Sequence, residues 1–333
     1  MLDFFGIAAD FDLNVMRKRQ RLNGLTARVV KAVDRLFRDA RPDHVIVHGD
    51  TTGALAAAQA AFNLGIPVAH VEAGLRTYDL ANPWPEEFNR RAIDLFADPL
   101  FPPTILAADN LRREGIGGRE MTVTGNTVID ALFWTRRRIA GDRGLRHQIE
   151  SHLPPLDPGR PLVLVTAHRR ENQGKPLHRI CEAVRGLAAD RDLQIVFAVH
   201  PSPAIRRVVH RQLDGVRGVT LIDALPYPAF IHLMCHARLI LSDSGGIQEE
   251  ATALGIPVIL MRDTTERREG VAEGTVHVAG TDTADIVGQA QRALDGLTPA
   301  LPSDTFGDER AAERIVTAMR SFALHRERDL RHA

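Results

Sequence analysis

Short runs of β-forming residues alternate with helical patterns along almost the whole chain. The first clear helix is predicted over 22–40, where apolar residues recur at three- and four-residue spacing, and a short strand at 45–47 follows it. Parallel strands need long crossover connections, which are usually helices, so this alternation is typical of parallel sheets covered by helices on both faces. The predicted fold class is therefore α/β.

The strand candidates fall into two groups, which predicts two domains. The first group is 45–47, 67–71, 100–101 and 121–123, and the second is 162–166, 194–199, 219–222, 239–241, 257–261 and 275–278. A chain of 333 residues is also too long for one ordinary core. The polar segment 141–160, which contains several prolines and glycines, has the composition of a linker between the groups.

We therefore predict an N-terminal domain over 1–145 and a C-terminal domain over 155–307, with an amphipathic helix at 308–330 that packs back on the first domain. The two strand groups are unequal, and the second has the number usual for a doubly wound sheet. A sheet that lacks its opening strand leaves the edge of a neighbour unpaired. The first domain is therefore expected to be incomplete at its front.

Charge and composition narrow the classes of function. Lys plus Arg and Asp plus Glu both number 42, which leaves no basic surplus for a polynucleotide, so no nucleic-acid partner is expected. The apolar runs are far shorter than the roughly 20 residues that span a bilayer, and no secretory signal pattern opens the chain. We therefore expect a cytoplasmic protein with no membrane partner. Cys181 and Cys235 lack the spacing of metal ligands, so no metal is expected.

Polar motifs follow the predicted strands, at the edge where parallel sheets bind ligands. In the first half they are HGDTT at 48–52, HVEAGLRT at 70–77 and PWPEEFNR at 83–90. Each has a structural alternative: Asp50 or Thr51 could cap the next helix, Glu72 could pair with Arg76, and the acids of the third motif could oppose a helix macrodipole. Separate carboxylates near one sheet edge nevertheless favour a functional site.

The second half carries cationic and glycine-rich motifs. AHRREN at 167–172 places an imidazole and two guanidinium groups where a strand ends. SDSGGIQEEA at 242–251 predicts a strand that turns through paired glycines into a helix, a geometry that directs N–H groups at an anion, typically phosphate. A tight turn without a ligand is the alternative. In RDTTERRE at 262–269, Arg267 could donate to the same phosphates or belong to a surface charge cluster.

No GxGxxG follows a first strand and no GxxxxGK[ST] occurs, which disfavours dinucleotide redox chemistry and P-loop hydrolysis. Together with TGNTVIDAL at 124–132, the motifs above resemble, in order and over essentially the whole chain, those of the non-hydrolysing UDP-N-acetylglucosamine 2-epimerases. The resemblance implies a glycosyltransferase-B-like fold of two Rossmann-like domains around a cleft. It also implies conversion of UDP-GlcNAc to UDP-ManNAc for cell-surface polysaccharide, without cofactor or metal, in a homodimer.

The resemblance further implies roles for particular residues. Asp50, Glu72 and Glu86 match the acid/base carboxylates of the family, and His168 matches its active-site histidine. The implied substrate contacts are Ser244, Gly245, Gly246 and Arg267 for the diphosphate, Glu250 for the ribose, and Leu225 and Phe230 for the uracil.

The chain departs from the family pattern at its front. The family opens with a strand and a GTRPE-like loop whose Arg and Lys approach the diphosphate, whereas this chain starts near the family's next helix. Smaller departures are Arg268 in place of a proline and Ser202 in place of an asparagine. Three alternatives stay open: a catalytically silent UDP-sugar binder, a 2-epimerase of a UDP-diacetamido-hexuronic acid, and a glycosyltransferase, which the three carboxylates disfavour.

Overall fold

The structure, a computed structural model, describes residues 1–17, 19–298 and 300–332, with side chains described up to residue 324. The chain divides into two compact units. Unit 1 comprises Met1–Thr127 together with the chain from Gly307 onward, and unit 2 comprises Val128–Phe306. In the described residues, no helix is long and apolar enough to cross a membrane.

The elements alternate as the sequence predicts. Up to residue 127 they are α1 (Leu2–Phe5), α2 (Leu22–Ala40), β1 (Val45–His48), α3 (Thr52–Asn63), β2 (Val68–Val71), α4 (Glu86–Asp94), β3 (Leu100–Phe101) and α5 (Ile105–Arg113). Those that follow, as far as Leu294, are α6 (Thr127–Gly141), α7 (Arg143–Ser151), β4 (Leu162–Ala167), α8 (Lys175–Asp190), β5 (Gln194–Val199), α9 (Pro203–Leu213), β6 (Val219–Asp223), α10 (Tyr227–Cys235), β7 (Leu239–Ser242), α11 (Gly245–Leu254), β8 (Val258–Leu260), α12 (Arg268–Ala272), β9 (Val276–Val278) and α13 (Thr283–Leu294). The last helix is α14 (Ala311–His332).

Unit 1 is built on a parallel sheet with the strand order β1-β2-β3 in the described residues. The predicted strand at 121–123 is not formed as a strand, because Met121 makes only an isolated bridge to Leu100. β3 is two residues long and Pro102 follows it, so no N–H is available at that position to continue a ladder. The fourth strand predicted in this half is therefore reduced to a bridge.

Helices cover the sheet of unit 1: α3 packs directly on the strands, and α2 packs on α3. α2 has the predicted bounds, and its buried Val29 and Val33 pack against Ala56 and Ala60 of α3, as expected from apolar residues at helical spacing. α14 places Ile315 in a cluster with Ala69, Val71 and Phe101. The helix at the end of the chain therefore packs on the sheet of unit 1.

Unit 2 contains a parallel sheet with the strand order β6-β5-β4-β7-β8-β9, and each of its six strands overlaps a predicted one. This is the strand order of a doubly wound sheet. Successive strands are added towards one edge from β4 to β6 and towards the other edge from β7 to β9, so the order of addition changes direction between β4 and β7. Both faces are covered: Val163 and Val165 belong to one apolar cluster, and Leu162 and Leu164 to another. Continuous apolar strands are typical of sheets buried on both sides.

The division of the chain lies earlier than the segment 141–160, which has linker composition. α6 belongs to unit 2 because its Ile129 and Leu132 pack with Leu164 in the core of that unit. Residues 143–151 form α7, whose Ile149 packs against Ala229 of α10. Polar composition indicated a linker, but a few apolar residues at helical spacing attach this segment to unit 2.

Candidate active site

In unit 1, the loops after β1 and β2 leave the sheet side by side. Parallel pairing continues past the strands, since the Gly49 N–H donates to the Val71 carbonyl at 3.0 Å. Gly49 has φ +69°, and a Cβ placed there would lie 2.9 Å from Oε2 of Glu72. Glycine is required at this position for both reasons. The next residue along the first loop is Asp50, so two of the predicted carboxylates lie on adjacent loops.

Asp50 does not cap the following helix. Thr51 does so, because its hydroxyl oxygen accepts the Ala54 N–H at 3.1 Å. The Asp50 carboxylate instead accepts a hydrogen bond of 2.6 Å from Nη2 of Arg90, and the Asp50 carbonyl accepts one of 2.8 Å from Nδ2 of Asn89. Both donors belong to α4, so this helix is joined directly to the loop that carries Asp50.

The two acids that open α4 have different environments. Glu87 is fully buried and accepts the backbone N–H groups of Thr77 and Tyr78, each at 3.0 Å, so its role is structural. Glu86 is partly exposed, and its side chain makes no hydrogen bond or ion pair with any described residue. It lies one helical turn before Arg90, on the same side of α4. Of the two, only Glu86 is available to a ligand.

Glu72 has a left-handed backbone with φ +70°, which is unusual for a residue other than glycine and is found where the surrounding structure holds a strained position. Its carboxylate is 3.5 Å from Nε2 of His48 and accepts a hydrogen bond of 3.3 Å from Asn126. Arg76 pairs instead with Asp94 and Glu114, at 2.7 Å in each case. The structural alternative of a pair between Glu72 and Arg76 is therefore wrong.

In unit 2, a buried carboxylate orients His168. Asp243 is fully buried and lies 3.0 Å from Nδ1 of His168, and it also accepts the His168 N–H and the Asn172 side-chain amide, both at 2.9 Å. Burial alone would raise the pKa of Asp243, but the hydrogen bond and charge of His168 outweigh it and lower the pKa. An ionised Asp243 holds the proton on Nδ1, so Nε2 is the ring nitrogen directed to a ligand.

The first turn of α11 has the geometry of an anion-binding site. The helix begins at Gly245, and Ser244, the N-cap residue, makes no side-chain cap hydrogen bond with the described residues. A Cβ on Gly245 would lie 2.7 Å from Nη1 of Arg267, so this guanidinium lies directly against the helix N-terminus. A helix N-terminus and a guanidinium both favour a phosphate group. The structure thus brings together the predicted diphosphate residues, with Gly246 beside them in the same turn.

Arg267 is part of a buried charge cluster rather than a surface one, because its exposed fraction is only 7%. Its Nε is 2.5 Å from Oε1 of Glu249, and its Nη1 pairs with Glu266. These carboxylates hold the guanidinium in place. The N-terminus of α11, which carries a partial positive charge, lies beside it, so an anion bound there would be attracted by both groups. The alternative of a surface charge cluster is therefore wrong.

A cavity of about 280 Å³ lies at the carboxyl ends of β4 and β5. It is lined by Thr166, Ala167, His168, Ala198, His200, Ala224, Leu225, Phe230 and Ile247. The two residues predicted to hold uracil therefore share a cavity with the predicted histidine. A larger cavity of about 690 Å³, with Arg160 and Arg238 among its lining residues, lies at the amino ends of the strands. Parallel sheets bind substrates at the carboxyl ends, so the smaller cavity is the candidate.

Glu250 lies one turn beyond Gly246 on α11 and is almost fully buried. Burial raises its pKa to about 7, and a hydrogen bond of 2.9 Å from the Tyr227 hydroxyl only partly offsets this. The carboxyl is therefore partly protonated near neutral pH. A group in this state can both donate to and accept from a hydroxyl pair such as that of a ribose.

Several residues of these sites were not among the predicted ones. Asp243 was within a quoted motif, between two serines at a strand end, and its position was a usable signal. Arg90 was also within a motif, one turn after Glu86. His200 directly follows the predicted strand 194–199, so its position was a signal of the same kind. Tyr227 carried no such signal, because its partner Glu250 lies on another helix.

Two α/β units with parallel sheets, together with the solved structures described below, define a protein of the glycosyltransferase-B-like class. The sequence profile described as UDP-N-acetylglucosamine 2-epimerase matches residues 1–320. The UDP-N-acetylglucosamine 2-epimerase of Escherichia coli O157:H7 is 45% identical over 326 residues, which cover 96% of this chain and 87% of that protein. The chain belongs to the UDP-N-acetylglucosamine 2-epimerase family.

Solved structures agree with this assignment. The UDP-GlcNAc 2-epimerase of Neisseria meningitidis bound to UDP-GlcNAc superposes with a TM-score of 0.92 at 39% identity, covering 96% of this chain and 87% of that one. The UDP-GlcNAc 2-epimerase of Methanocaldococcus jannaschii, in complex with UDP-GlcNAc and UDP, gives 0.87 at 31% identity, with 96% and 87% covered. A trehalose-phosphate synthase from Burkholderia vietnamiensis, at 15% identity and a TM-score of 0.54, shares only the fold.

Proposed function

We propose that this protein converts UDP-GlcNAc to UDP-ManNAc by inverting carbon 2 of the sugar. The observation that carries the proposal is the pair of carboxylates, Asp50 and Glu72, on adjacent loops where β1 and β2 end. Family membership and the ligands named for the related structures support the choice of substrate. Unit 2 supports it independently, through the anion site at Gly245 and Arg267.

The chemistry explains the need for several acids. Carbon 2 has no neighbouring carbonyl, so its proton is not acidic enough for direct removal. Cleavage of the bond between carbon 1 and the UDP oxygen develops positive charge beside it, so a carboxylate can take the proton and a 2-acetamidoglucal forms. The UDP oxygen then bonds again to carbon 1 while a proton adds to carbon 2 from the opposite face. Inversion therefore requires acid/base groups on two faces of the sugar.

In this proposal Asp50, Glu72 and Glu86 supply the acid/base groups. Unit 2 binds the leaving group: the first N–H groups of α11, with Ser244 and Arg267, stabilise the diphosphate as charge develops on it. Asp243 orients the ring of His168 through Nδ1, and when the ring is protonated its Nε2 can donate to the departing oxygen.

We assign the nucleoside to the second part of the site in unit 2. Leu225 and Phe230 in the 280 Å³ cavity bind the uracil. Glu250, one turn along α11 from the anion site, binds the ribose hydroxyl groups.

The test is incubation with UDP-GlcNAc in deuterated water, followed by NMR of the sugar. The expected result is a manno-configured product with deuterium at carbon 2. Asp50→Asn and Glu72→Gln are each expected to abolish exchange at carbon 2, while calorimetry shows UDP binding unchanged. UDP binding without product in the unaltered protein would establish the silent binder instead. Turnover of a UDP-diacetamido-hexuronic acid, with UDP-GlcNAc inert, would establish the related epimerase.

We further propose that the enzyme is a cytoplasmic homodimer that serves cell-surface polysaccharide synthesis. Support for the dimer comes from apolar side chains that unit 1 exposes, namely Phe62, Leu95 and Ile105, each more than half exposed. Light scattering of the purified protein is expected to give twice the chain mass of 36.7 kDa. A mass equal to that of one chain across the micromolar range would contradict the dimer.

A further inference from the structure

His70 is a buried histidine that none of the proposed chemical steps uses. Its side chain has no exposed surface, and both of its ring nitrogens contact oxygen atoms. Nδ1 lies 2.6 Å from Oδ1 of Asp94, and Nε2 lies 2.9 Å from the carbonyl oxygen of Gly49. A carbonyl oxygen only accepts, and so does an ionised carboxylate. Both nitrogens must then carry a proton, which makes the ring an imidazolium.

Asp94 is held in its ionised form. Its Oδ2 lies 2.7 Å from Nη1 of Arg76 and accepts the Gly74 N–H at 3.2 Å. Burial alone would raise the pKa of Asp94, but His70 and Arg76 outweigh it and lower the pKa. Burial likewise opposes the charge on His70, yet the pKa of His70 is raised by the attraction and hydrogen bond of Asp94, with the Gly49 carbonyl and Glu72 adding to it.

The charges around His70 are balanced. Asp94 of α4 and Glu72 of the loop after β2 both attract the positive charge of His70. Arg76 forms an ion pair with the same Asp94, and Glu114, which follows α5, pairs with Arg76 and offsets its charge. A buried cation is stable only with such partners.

These hydrogen bonds end on the two loops that carry the carboxylates. The Gly49 carbonyl immediately precedes Asp50 in the loop after β1, and the Gly74 N–H lies two residues beyond Glu72 in the loop after β2. Glu72 itself has φ +70°, a conformation that only its surroundings can maintain. The imidazolium and Asp94 therefore connect both loops to each other and to α4.

We propose that His70 is a positioning residue: as an imidazolium it holds the loop of Asp50 against the loop of Glu72, and loss of one ring proton releases the Gly49 carbonyl and misplaces both carboxylates. This inference rests on the proposed function only in taking Asp50 and Glu72 as the acid/base groups. A neutral ring would leave the Gly49 carbonyl facing a nitrogen lone pair. The rate of epimerisation is therefore expected to fall at alkaline pH as His70 deprotonates.

Two variants separate the two hydrogen bonds of His70. In His70→Gln the amide nitrogen occupies the position of Nε2 and keeps the donor to Gly49, whereas in His70→Asn it occupies the position of Nδ1 and keeps only the donor to Asp94. We expect His70→Asn to lose about 100-fold in kcat with KM little changed, which is the effect of misplaced reacting groups. We expect His70→Gln to keep most of kcat and to lose the alkaline decline, because an amide does not titrate.

One measurement keeps the inference separate from the proposed function, and a folding check and a control variant accompany it. ¹⁵N NMR of labelled histidine is expected to show protons on both ring nitrogens of His70 at pH 8, whatever the substrate is. Urea unfolding followed by the fluorescence of Trp84, which lies in unit 1, shows that each variant is folded, and His147→Gln, an exposed histidine on α7, is the matched control. A neutral His70 ring at pH 8, or equal losses of kcat in the two variants, would overturn the inference. An unaltered protein without epimerase activity but with a doubly protonated His70 would overturn the proposed function alone.

Discussion

Replacing Glu250 by glutamine is expected to stabilise unit 2 at alkaline pH. Burial raises the pKa of this carboxyl from 4.5 to about 7, so the folded state holds a proton that the unfolded state has released. The free energy of unfolding therefore falls as pH rises between these values. At roughly 1.4 kcal/mol for each pKa unit, the loss is about 3 kcal/mol above pH 8. A glutamine side chain does not ionise and so avoids this loss of stability, and its amide oxygen can still accept the hydrogen bond of the Tyr227 hydroxyl.

The assay is urea unfolding followed by tryptophan fluorescence in a Trp84→Phe background, where Trp134 of α6 reports on unit 2 alone. At pH 8 the Glu250→Gln variant is expected to exceed its parent in unfolding free energy by about 3 kcal/mol, and the difference is expected to approach zero near pH 4.5. Glu182→Gln, at an exposed position of α8, serves as the control. A difference that stays constant across this pH range would show that burial does not perturb Glu250, and the reasoning would fail.

Three further predictions concern other buried contacts. Gly245→Ala is expected to weaken UDP binding in calorimetry and to lower Tm, because the new Cβ would lie 2.7 Å from a nitrogen of the Arg267 guanidinium. Gly246→Ala is the control: its Cβ meets no atom within 4 Å, so Tm should not change. Asp94→Asn leaves two buried cations without their shared carboxylate and is expected to cost about 3–5 kcal/mol in urea unfolding. Asp243→Asn is expected to lower kcat of epimerisation, with UDP affinity in calorimetry largely kept, because the imidazole loses the carboxylate that orients it.

Local patterns predicted most of the elements. The bounds of α2 were predicted correctly because its apolar spacing is a property of the segment itself. The prediction of a strand at 121–123 was wrong because ladder formation depends on the neighbouring strand, which ends at Phe101, directly before Pro102. α7 was missed within the segment 141–160, because the partner of Ile149 is Ala229, eighty residues further along the chain.

The candidate site was predicted in part for a similar reason. Asp50, Glu72 and Gly245 follow strands, and the chemistry of a strand end is visible in sequence. The capping of α3 by Thr51 rather than Asp50 was left open, since both residue types cap helices. The contact of Arg90 with Asp50 spans 40 positions, and no spacing rule predicts it.

The amino-acid sequence by itself determined that this protein forms parallel α/β sheets, that acids and a glycine turn follow the strands, and that the family is that of the UDP-N-acetylglucosamine 2-epimerases. These properties follow from residue periodicity and backbone geometry, which act over a few positions. Only the tertiary structure decided which charges meet. His70, Arg76 and Asp94 are ordinary residues in sequence, and they become a coupled buried group because folding removes water and leaves each charge dependent on its nearest partner.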